Sequence, residues 1–460
     1  MTDRALLTRA AELAADHLEA VGERHAGPIA GHAELRAALG GALPQDGVPA
    51  REVVEALARD AAPGLVASPG PRYFGFVTGG ALPAALAADW LASAFDQNSF
   101  SAVSSPAAAV VEEVACGWLL ELLGLPAEAG VGLTTGAQMA NVTGLAAARH
   151  ALLAGQGWDV EERGFGGAPP LRVLAGQEAH VTLWRALRLL GFGRASVEVV
   201  AADGQGRMRA DALAEALRAG DGPAIVCAQA GNVNTGAIDP MADICAAARE
   251  HGAWVHVDGA FGLWAAASPA LAGLTAGVGD ADSWATDGHK WLNVPYDCGV
   301  VAVRDRDAHA AAMGMTASYL VRSGDADRSN SDWVPEASRR GRGFAVYAAL
   351  RSLGRTGVAE LVDRCCALAR RLAASVGSVD GVEVLNEVVL NQVLLRFGAN
   401  DAFTDEVIGR VQEDGTCWVG GTRWRGEAAM RVSVSNWSTT EADIDRSVEA
   451  ILAAARTSVA

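Results

Sequence analysis

Apolar residues recur at different spacings along the chain, and these spacings predict its elements. Up to about residue 63, and again from about 84 to 123, they follow a helical period. From about residue 130, short apolar runs such as VGLTT, LRVLAG and AIVCAQ alternate with helical segments. Strands that alternate with helices indicate βαβ units and a mostly parallel sheet. The pattern therefore predicts an α/β protein with helices on both faces of a large sheet.

The pattern changes again after about residue 315. A polar and charged stretch, SGDADRSNSDWVPEASRRGRG, precedes a long helical region over 344–376 and a final α+β segment. We therefore expect an N-terminal helical segment (1–75), a large α/β domain (76–315), and a mobile loop with a small C-terminal domain (316–460).

Composition and charge disfavour several classes of function. The chain has 460 residues, half of them hydrophobic, and a net charge of -17. An acidic chain repels phosphate backbones, so we expect no nucleic-acid partner. No uncharged apolar run approaches about 18 residues, so we expect no membrane span. The seven cysteines include no CxxC pair and the N-terminus has no uninterrupted apolar core. We therefore expect a cytoplasmic protein with reduced thiols and without a metal site.

Polar groups follow four of the predicted strands. In TTGAQMAN a helix begins directly after a strand, so its free N–H groups suit a phosphate, and Thr135 and Gln138 could add donors. A plain strand-to-helix turn would have the same pattern. His180 also falls between a strand and a helix, where the alternative is a capping or packing role.

Asp258 and Lys290 follow the next two such strands. A buried carboxylate is costly unless a cation or strong donors meet it. Helix capping is the alternative for Asp258, although the following GAFGLWAA does not begin a clean helix. A desolvated lysine can attack carbonyls, whereas the alternative for Lys290 is an exposed loop position.

Taken together, these groups indicate one cofactor. Ligands bind at the carboxyl ends of the strands in parallel sheets. A phosphate cradle, a histidine, a carboxylate and a lysine match the phosphate, aromatic ring, basic ring nitrogen and aldehyde of pyridoxal phosphate. We expect Lys290 to form the Schiff base and Asp258 to pair with the pyridinium nitrogen. His180 and the small Ala260 would cover the two faces of the ring.

Several motifs in order extend this interpretation. They are TTGAQMANVTGLAAAR, QEAHVTLWRALRLLGFG, AGNVNTGAIDP, HVDGAFG, DGHKWLNVPYDCG and SRRGRGFAVYAALRSLGR. Through them the chain resembles the group II pyridoxal-phosphate-dependent amino-acid decarboxylases, the family of aromatic-amino-acid and glutamate decarboxylases, over roughly residues 65–455. The resemblance implies fold type I of the PLP-dependent transferases and a homodimer with active sites at the interface. It also implies the decarboxylation of an L-amino acid to an amine and CO2.

The resemblance implies roles for individual residues as well. Lys290, His180 and Asp258 match the catalytic positions. Further cofactor contacts are expected from Thr135, Gly136, Ala137, Gln138, Ala260, Asp287, His289 and either Asn232 or Asn234. Family members place pocket aromatics at Tyr73, Phe74 and Phe76, where core packing is the alternative. Two further residues, Arg423 and Arg425, could hold an acidic group or form ion pairs.

One position departs from the family pattern. The mobile loop of the family commonly supplies a tyrosine, thought to protonate Cα, and the matching position here falls near Asn330 or Ser331. Tyr319, also a candidate for the substrate pocket, is the only tyrosine near this loop. Either Tyr319 or His180 supplies the proton, or the reaction takes another outcome. The alternatives are an aldehyde-forming oxidative deaminase, an aminotransferase or an aldolase of the same fold.

Overall fold

The computed structural model describes residues 3–315 and 329–456. These residues form two compact units. The first unit comprises the chain up to Thr78, Leu368–Leu385 and the chain from Val393. The second unit comprises Gly79–Ala367 and Asn386–Gln392.

The second unit contains a seven-stranded sheet. Its strands are β1 (Gly130–Thr134), β2 (Arg172–Gly176), β3 (Val197–Val200), β4 (Ala224–Gln229), β5 (Trp254–Asp258), β6 (Ser283–Asp287) and β7 (Gly299–Val303). Their order is β1-β7-β6-β5-β4-β2-β3, and only β7 runs antiparallel to its neighbours. Every residue of β4, β5 and β6 is buried, and β4 is accordingly an almost continuous apolar run. The mostly parallel sheet expected from the sequence is confirmed.

Helices cover both faces of this sheet. They are α4 (Pro83–Phe95), α5 (Pro106–Leu122), α6 (Ala137–Ala154), α7 (Val160–Arg163), α8 (Val181–Leu189), α9 (Ala210–Ala219), α10 (Met241–Glu250), α11 (Arg306–Met313) and most of α12 (Gly343–Gly377). α6 packs against β5, β6 and β7 and contacts α8 and α11, whereas α9 and α10 contact each other. α6 therefore lies directly over the strands that carry the candidate site.

The first unit is an α+β structure. Its helices are α1 (Arg4–Ala20), α2 (His32–Leu39), α3 (Ala50–Ala61), α13 (Asp401–Asp414) and α14 (Glu441–Arg456). Its sheet has the order β10-β11-β9-β8, from β8 (Val382–Val384), β9 (Gln392–Phe397), β10 (Gly420–Trp424) and β11 (Glu427–Ser433). Among the described helices of the whole chain, none is long and apolar enough to cross a membrane.

The expected domain boundaries at residues 75 and 316 differ from those of the two units. The N-terminal helices belong to the same unit as the C-terminal sheet, and α12 belongs to the second unit as far as Ala367. The physical reason is packing within the second unit. Val346 on α12 is fully buried, and Ser268 donates a hydrogen bond to Asp363 at 2.5 Å.

Candidate active site

The end of β6 meets the start of α6 at one buried carboxylate. Lys290 Nζ lies 3.1 Å from Asp287 Oδ2, and Asp287 Oδ1 accepts a hydrogen bond from the Ala137 N–H at 2.5 Å. Asp287 is only 3% exposed. Three predicted residues from two motifs are therefore brought together, with the lysine amine beside the start of a helix.

His289 lies beside the same cluster. Its Nδ1 accepts a hydrogen bond from the Cys298 N–H at 3.1 Å, so in the neutral ring the hydrogen is on Nε2, 3.4 Å from Asp287 Oδ1. Burial lowers the pKa of His289, which favours this neutral form. Tyr296, which our sequence analysis did not single out, stacks on the imidazole with 4.3 Å between ring centroids. Its place in the DGHKWLNVPYDCG motif was the signal that could have identified it.

The turn before α6 is shaped by close backbone approaches. Thr134 Oγ1 donates to the Gly136 carbonyl at 3.0 Å. A Cβ on Gly136 would lie 3.3 Å from His289 Cε1 and 3.4 Å from Asp287 Oδ1, so a side chain here would crowd the cluster. Thr135 and Gln138 flank it and are partly exposed. Because the first N–H groups of a helix lack intrahelical partners, this turn can bind an anion.

Asp258 ends β5 and is 4% exposed. Its Oδ1 accepts a hydrogen bond from the Ala260 N–H at 3.3 Å, whereas its Oδ2 is buried without a hydrogen bond. A short 3-10 helix (Gly262–Ala267) follows, so Asp258 does not cap an α-helix. Burial raises the pKa of Asp258, while the nearby positive charges of His180 and Lys290 lower it. A buried oxygen of this kind is costly unless a donor or cation meets it.

His180 caps α8 and also lies near Asp258. Its Nδ1 accepts a hydrogen bond from the Thr182 N–H at 3.4 Å and lies 2.7 Å from Thr182 Oγ1. The capping role that was the alternative for His180 is therefore present. It does not exclude the site role, because the same ring is close enough to Asp258 to lower the pKa of that carboxyl. With Nδ1 accepting, the hydrogen of the neutral ring is on Nε2.

The two asparagines after β4 differ in their surroundings. Asn232 is 1% exposed, and its Oδ1 accepts hydrogen bonds from the N–H groups of Asn234 (2.9 Å) and Thr235 (3.2 Å). Its amide nitrogen donates to Gln229 Oε1 at 3.3 Å. The side-chain hydrogen bonds of Asn232 thus stabilise the turn. The cofactor contact of Asn234 stays a prediction.

The candidate pocket aromatics lie in the first unit. Tyr73 is 6% exposed and stacks on Trp418 with 5.0 Å between ring centroids, and Phe74 is 1% exposed. Core packing, the alternative named for these positions, therefore describes both. Phe76 differs because it is 62% exposed. Its substrate contact stays a prediction.

The remaining predictions concern the loop and the arginines. Tyr319 lies outside the described residues. Asn330 and Ser331, the positions matched to the family's loop tyrosine, are buried in a 3-10 turn, and the Ser331 N–H donates to the Phe100 carbonyl at 3.0 Å. Arg423 forms an exposed ion pair with Asp405 at 2.8 Å, as the ion-pair alternative expected.

The donor set of this site fits pyridoxal phosphate. It offers a lysine amine for an aldehyde, a buried carboxylate with an unbonded oxygen for a ring nitrogen, and a helix start for a phosphate. Within residues 3–315 and 329–456 there is no cluster of three or more His, Cys, Asp or Glu side chains that could hold a metal ion.

Comparisons with known proteins agree with this chemistry. The model of the pyridoxal-dependent decarboxylase conserved domain matches residues 33–397. An aromatic-L-amino-acid decarboxylase of Bacillus atrophaeus is 26% identical over 417 residues, covering 89% of this chain and 85% of that protein. An acidic amino acid decarboxylase of Bos taurus is 30% identical over 325 residues, covering 69% of this chain and 61% of that protein.

A solved structure gives the same result. The crystal structure of Oryza sativa TDC with PLP and tryptamine is 26% identical and superposes with a TM-score of 0.91, covering 98% of this chain and 97% of that one. The chain therefore belongs to the pyridoxal-dependent decarboxylase family. It is a carboxy-lyase that acts on amino acids, and its cofactor is pyridoxal phosphate.

Proposed function

We propose that Lys290, Asp258 and His180 carry out the decarboxylation of an L-amino acid to the amine and CO2, with pyridoxal phosphate held at the carboxyl ends of β5 and β6. The observation that carries this proposal is the buried, unbonded Oδ2 of Asp258, in a site where Lys290 is near enough to lower the pKa of the carboxyl. A cationic ring nitrogen is the partner that this oxygen lacks.

When bound, pyridoxal phosphate supplies an electron sink for the bond that breaks at Cα. The task of Asp258 is then to keep a proton on the ring nitrogen, because an ionised carboxylate stabilises a neighbouring cation. Lys290 carries the amine that bonds to the cofactor, and Asp287 orients that amine from 3.1 Å. The turn Thr135–Gln138, with His289, holds the phosphate, and Ala260 leaves room for the ring.

His180 has the second catalytic task. In the protonated ring, Nδ1 can donate to Thr182 Oγ1 at 2.7 Å, and Nε2 carries the proton that the imidazolium can deliver. We propose that His180 lies over the ring and reprotonates Cα after CO2 leaves. Tyr319 is the alternative donor.

The substrate we propose has an aromatic or apolar side chain. Phe76, at one of the family's pocket positions, has an exposed ring, whereas Tyr73 and Phe74 at the neighbouring positions are buried by core packing. The ion pair of Arg423 with Asp405 also engages one of the two arginines that could hold an acidic side chain.

A panel of L-amino acids read by mass spectrometry tests the function. We expect an amine and CO2 from at least one aromatic or apolar amino acid, no product from the Lys290→Ala variant, and strongly reduced product from Asp258→Asn. An aldehyde with ammonia under oxygen, or a product that requires a keto acid, would instead support the deaminase or aminotransferase alternatives. Conversion of acidic amino acids only would contradict the substrate class and leave the reaction standing.

We also propose that the protein is a homodimer. None of the residues of α1, α2 and α3 is buried, and large apolar side chains such as Leu7, Val53 and Leu57 are 60%, 48% and 58% exposed. Apolar surface of this extent is typical of an interface. Light scattering on the holoenzyme should give twice the chain mass, and a monomer would contradict the proposal.

A cytoplasmic location is the last part of the proposal. All seven cysteines are buried and none forms a disulfide, as expected of a protein from a reducing compartment. Fractionation of cells that express the protein should place it with the cytoplasmic enzymes, and recovery from a secreted fraction would contradict this.

A further inference from the structure

His256 is enclosed between β5 and α6, directly behind Asp258. The two residues are two apart on β5, so their side chains leave the same face of the strand. His256 is fully buried. A Cβ on Gly144 of α6 would lie 2.9 Å from His256 Cε1 and 3.0 Å from its Nδ1. Glycine is unfavourable inside a helix relative to alanine, and here its presence makes room for the imidazole.

The hydrogen bonds around His256 settle its tautomer. Trp254 Nε1 can only donate, and it donates to Ser283 Oγ at 2.9 Å. The Ser283 hydroxyl can then donate to His256 Nδ1 at 2.8 Å. His256 Nε2 carries the hydrogen and donates to Asn141 Oδ1 at 2.9 Å. Burial lowers the pKa of His256 to about 3, so the ring stays neutral.

This tautomer fixes which way the Asn141 amide points. With Oδ1 bonded to His256, Nδ2 is turned towards Asp258, and Asn141 lowers the pKa of the Asp258 carboxyl. The opposite orientation would turn the Asn141 carbonyl towards a carboxylate and leave the Ser283 hydrogen without its acceptor. The sequence Asn-Val-Thr at Asn141 is a glycosylation pattern, but the side chain is fully buried and serves the interior instead.

Two buried atoms at this point have no hydrogen bond. They are Asn141 Nδ2, a donor, and Asp258 Oδ2, an acceptor. Unbonded polar atoms are rare in protein interiors and cost free energy, so this donor and this acceptor indicate contacts that are completed in another state. A carboxylate oxygen has two lone pairs, so Oδ2 can accept from both the Asn141 amide and a ring nitrogen.

We propose that Asn141, oriented by His256, Ser283 and Trp254, is a positioning residue for Asp258. In the holoenzyme its amide donates a hydrogen bond to the Asp258 carboxylate, which fixes the carboxylate plane and presents an oxygen to the cofactor's ring nitrogen. The hydrogen bond also favours the ionised carboxylate, and an ionised carboxylate keeps the ring nitrogen protonated. This inference rests on the proposed role of Asp258.

A matched pair of substitutions at His256 tests the inference. The amide nitrogen of glutamine can reach the position of Nε2 and keep the donor to Asn141. Asparagine reaches only the position of Nδ1 and loses that donor. Both variants leave the pocket similarly filled, so they differ chiefly in the contact at issue. Asn141→Leu, close in shape but without an amide, is the independent second variant if His256→Asn does not fold.

The readout is the NMR signal of the ring nitrogen in holoenzyme loaded with ¹⁵N-labelled pyridoxal phosphate. In His256→Asn and Asn141→Leu we expect this signal to move towards the unprotonated position. We also expect kcat to fall about 10- to 100-fold, as for other partners that orient a reactive group, with KM little changed. His256→Gln should keep the ring-nitrogen signal and kcat close to those of the original protein.

Controls separate this inference from the proposed function. Asp258→Asn should abolish the protonated signal. If it does and His256→Asn and Asn141→Leu leave the signal unchanged, the positioning role is wrong and the role of Asp258 stands. If Asp258→Asn also leaves the signal unchanged, the proposed role of Asp258 fails. His309→Asn alters another fully buried histidine, which contacts the Trp333 carbonyl at 3.0 Å. If His309→Asn moved the ring-nitrogen signal as far as His256→Asn does, the effect would be general destabilisation and the inference would be overturned.

Discussion

Lys290 Nζ lies 3.1 Å from Asp287 Oδ2, and the other oxygen of this carboxylate accepts the first N–H of α6. One buried side chain therefore connects the candidate nucleophile to the helix start where a phosphate is proposed to bind. The amine is held in a defined place by residues of β6 and α6.

Replacing Lys290 should separate its charge from its nucleophilicity. Arginine keeps a positive charge beside Asp287, but it stays protonated and cannot attack an aldehyde. We expect both Lys290→Ala and Lys290→Arg to lose the absorbance of the bound imine and to lower CO2 release by at least about 10⁴-fold. Measurable imine absorbance in either variant would show that another amine holds the cofactor.

Gly144→Ala should destabilise the protein, against the usual effect of alanine in a helix. The added Cβ would meet His256 Cε1 at 2.9 Å, and neither β5 nor α6 can move without disturbing the core. Gly117 on α5 is the matched control, since it is exposed and a Cβ there meets nothing within 4 Å. Gly117→Ala should stabilise by about 0.5–1 kcal/mol. Urea unfolding measures the stability of both variants. Equal changes in their urea midpoints would argue against the close approach of Gly144 to His256.

Acid should destabilise the protein partly through His256. Its pKa is about 3 in the folded state, below the ordinary 6.5. Between these values the unfolded chain binds the extra proton, so stability is present above about pH 6.5 and is lost as the pH falls towards 3. His256→Gln removes this titration. We therefore expect its urea midpoint to fall less between pH 7 and pH 5 than that of the original protein. If the urea midpoints of the two proteins fell equally, groups other than His256 would account for the loss of stability in acid.

The buried ion pair of Glu112 and Arg339 should be costly to break from one side. Their side chains are 0% and 1% exposed and form hydrogen bonds of 2.6 and 2.8 Å. Glu112→Gln removes the carboxylate that is bonded to the buried guanidinium, which costs about 3–5 kcal/mol. The exposed pair of Asp405 and Arg423 is the control, and Asp405→Asn should cost much less, because solvent screens that pair. Similar urea midpoints for the two variants would contradict this account.

Most of the secondary structure and the main site residues followed from local patterns. Short runs with apolar residues predicted all seven strands of the large sheet, because a strand buried on both faces is rich in apolar residues. Asp258 and Lys290 were identified because ionisable residues at the ends of such strands need partners. The boundary after Ala367 was not predicted, since α12 is continuous in sequence and only its packing assigns it to the second unit.

The sequence by itself determined the kinds of elements and the chemistry at their ends, because both depend on neighbouring residues. Only the tertiary structure decided which side chains support Asp258 from behind. Asn141 and His256 are 115 residues apart, and their contact exists because α6 crosses β5 at Gly144. The packing of a helix on a sheet fixes that meeting, and no local period encodes it. The tertiary structure thus adds to Asp258 a set of supporting residues that its own neighbours in the sequence do not indicate.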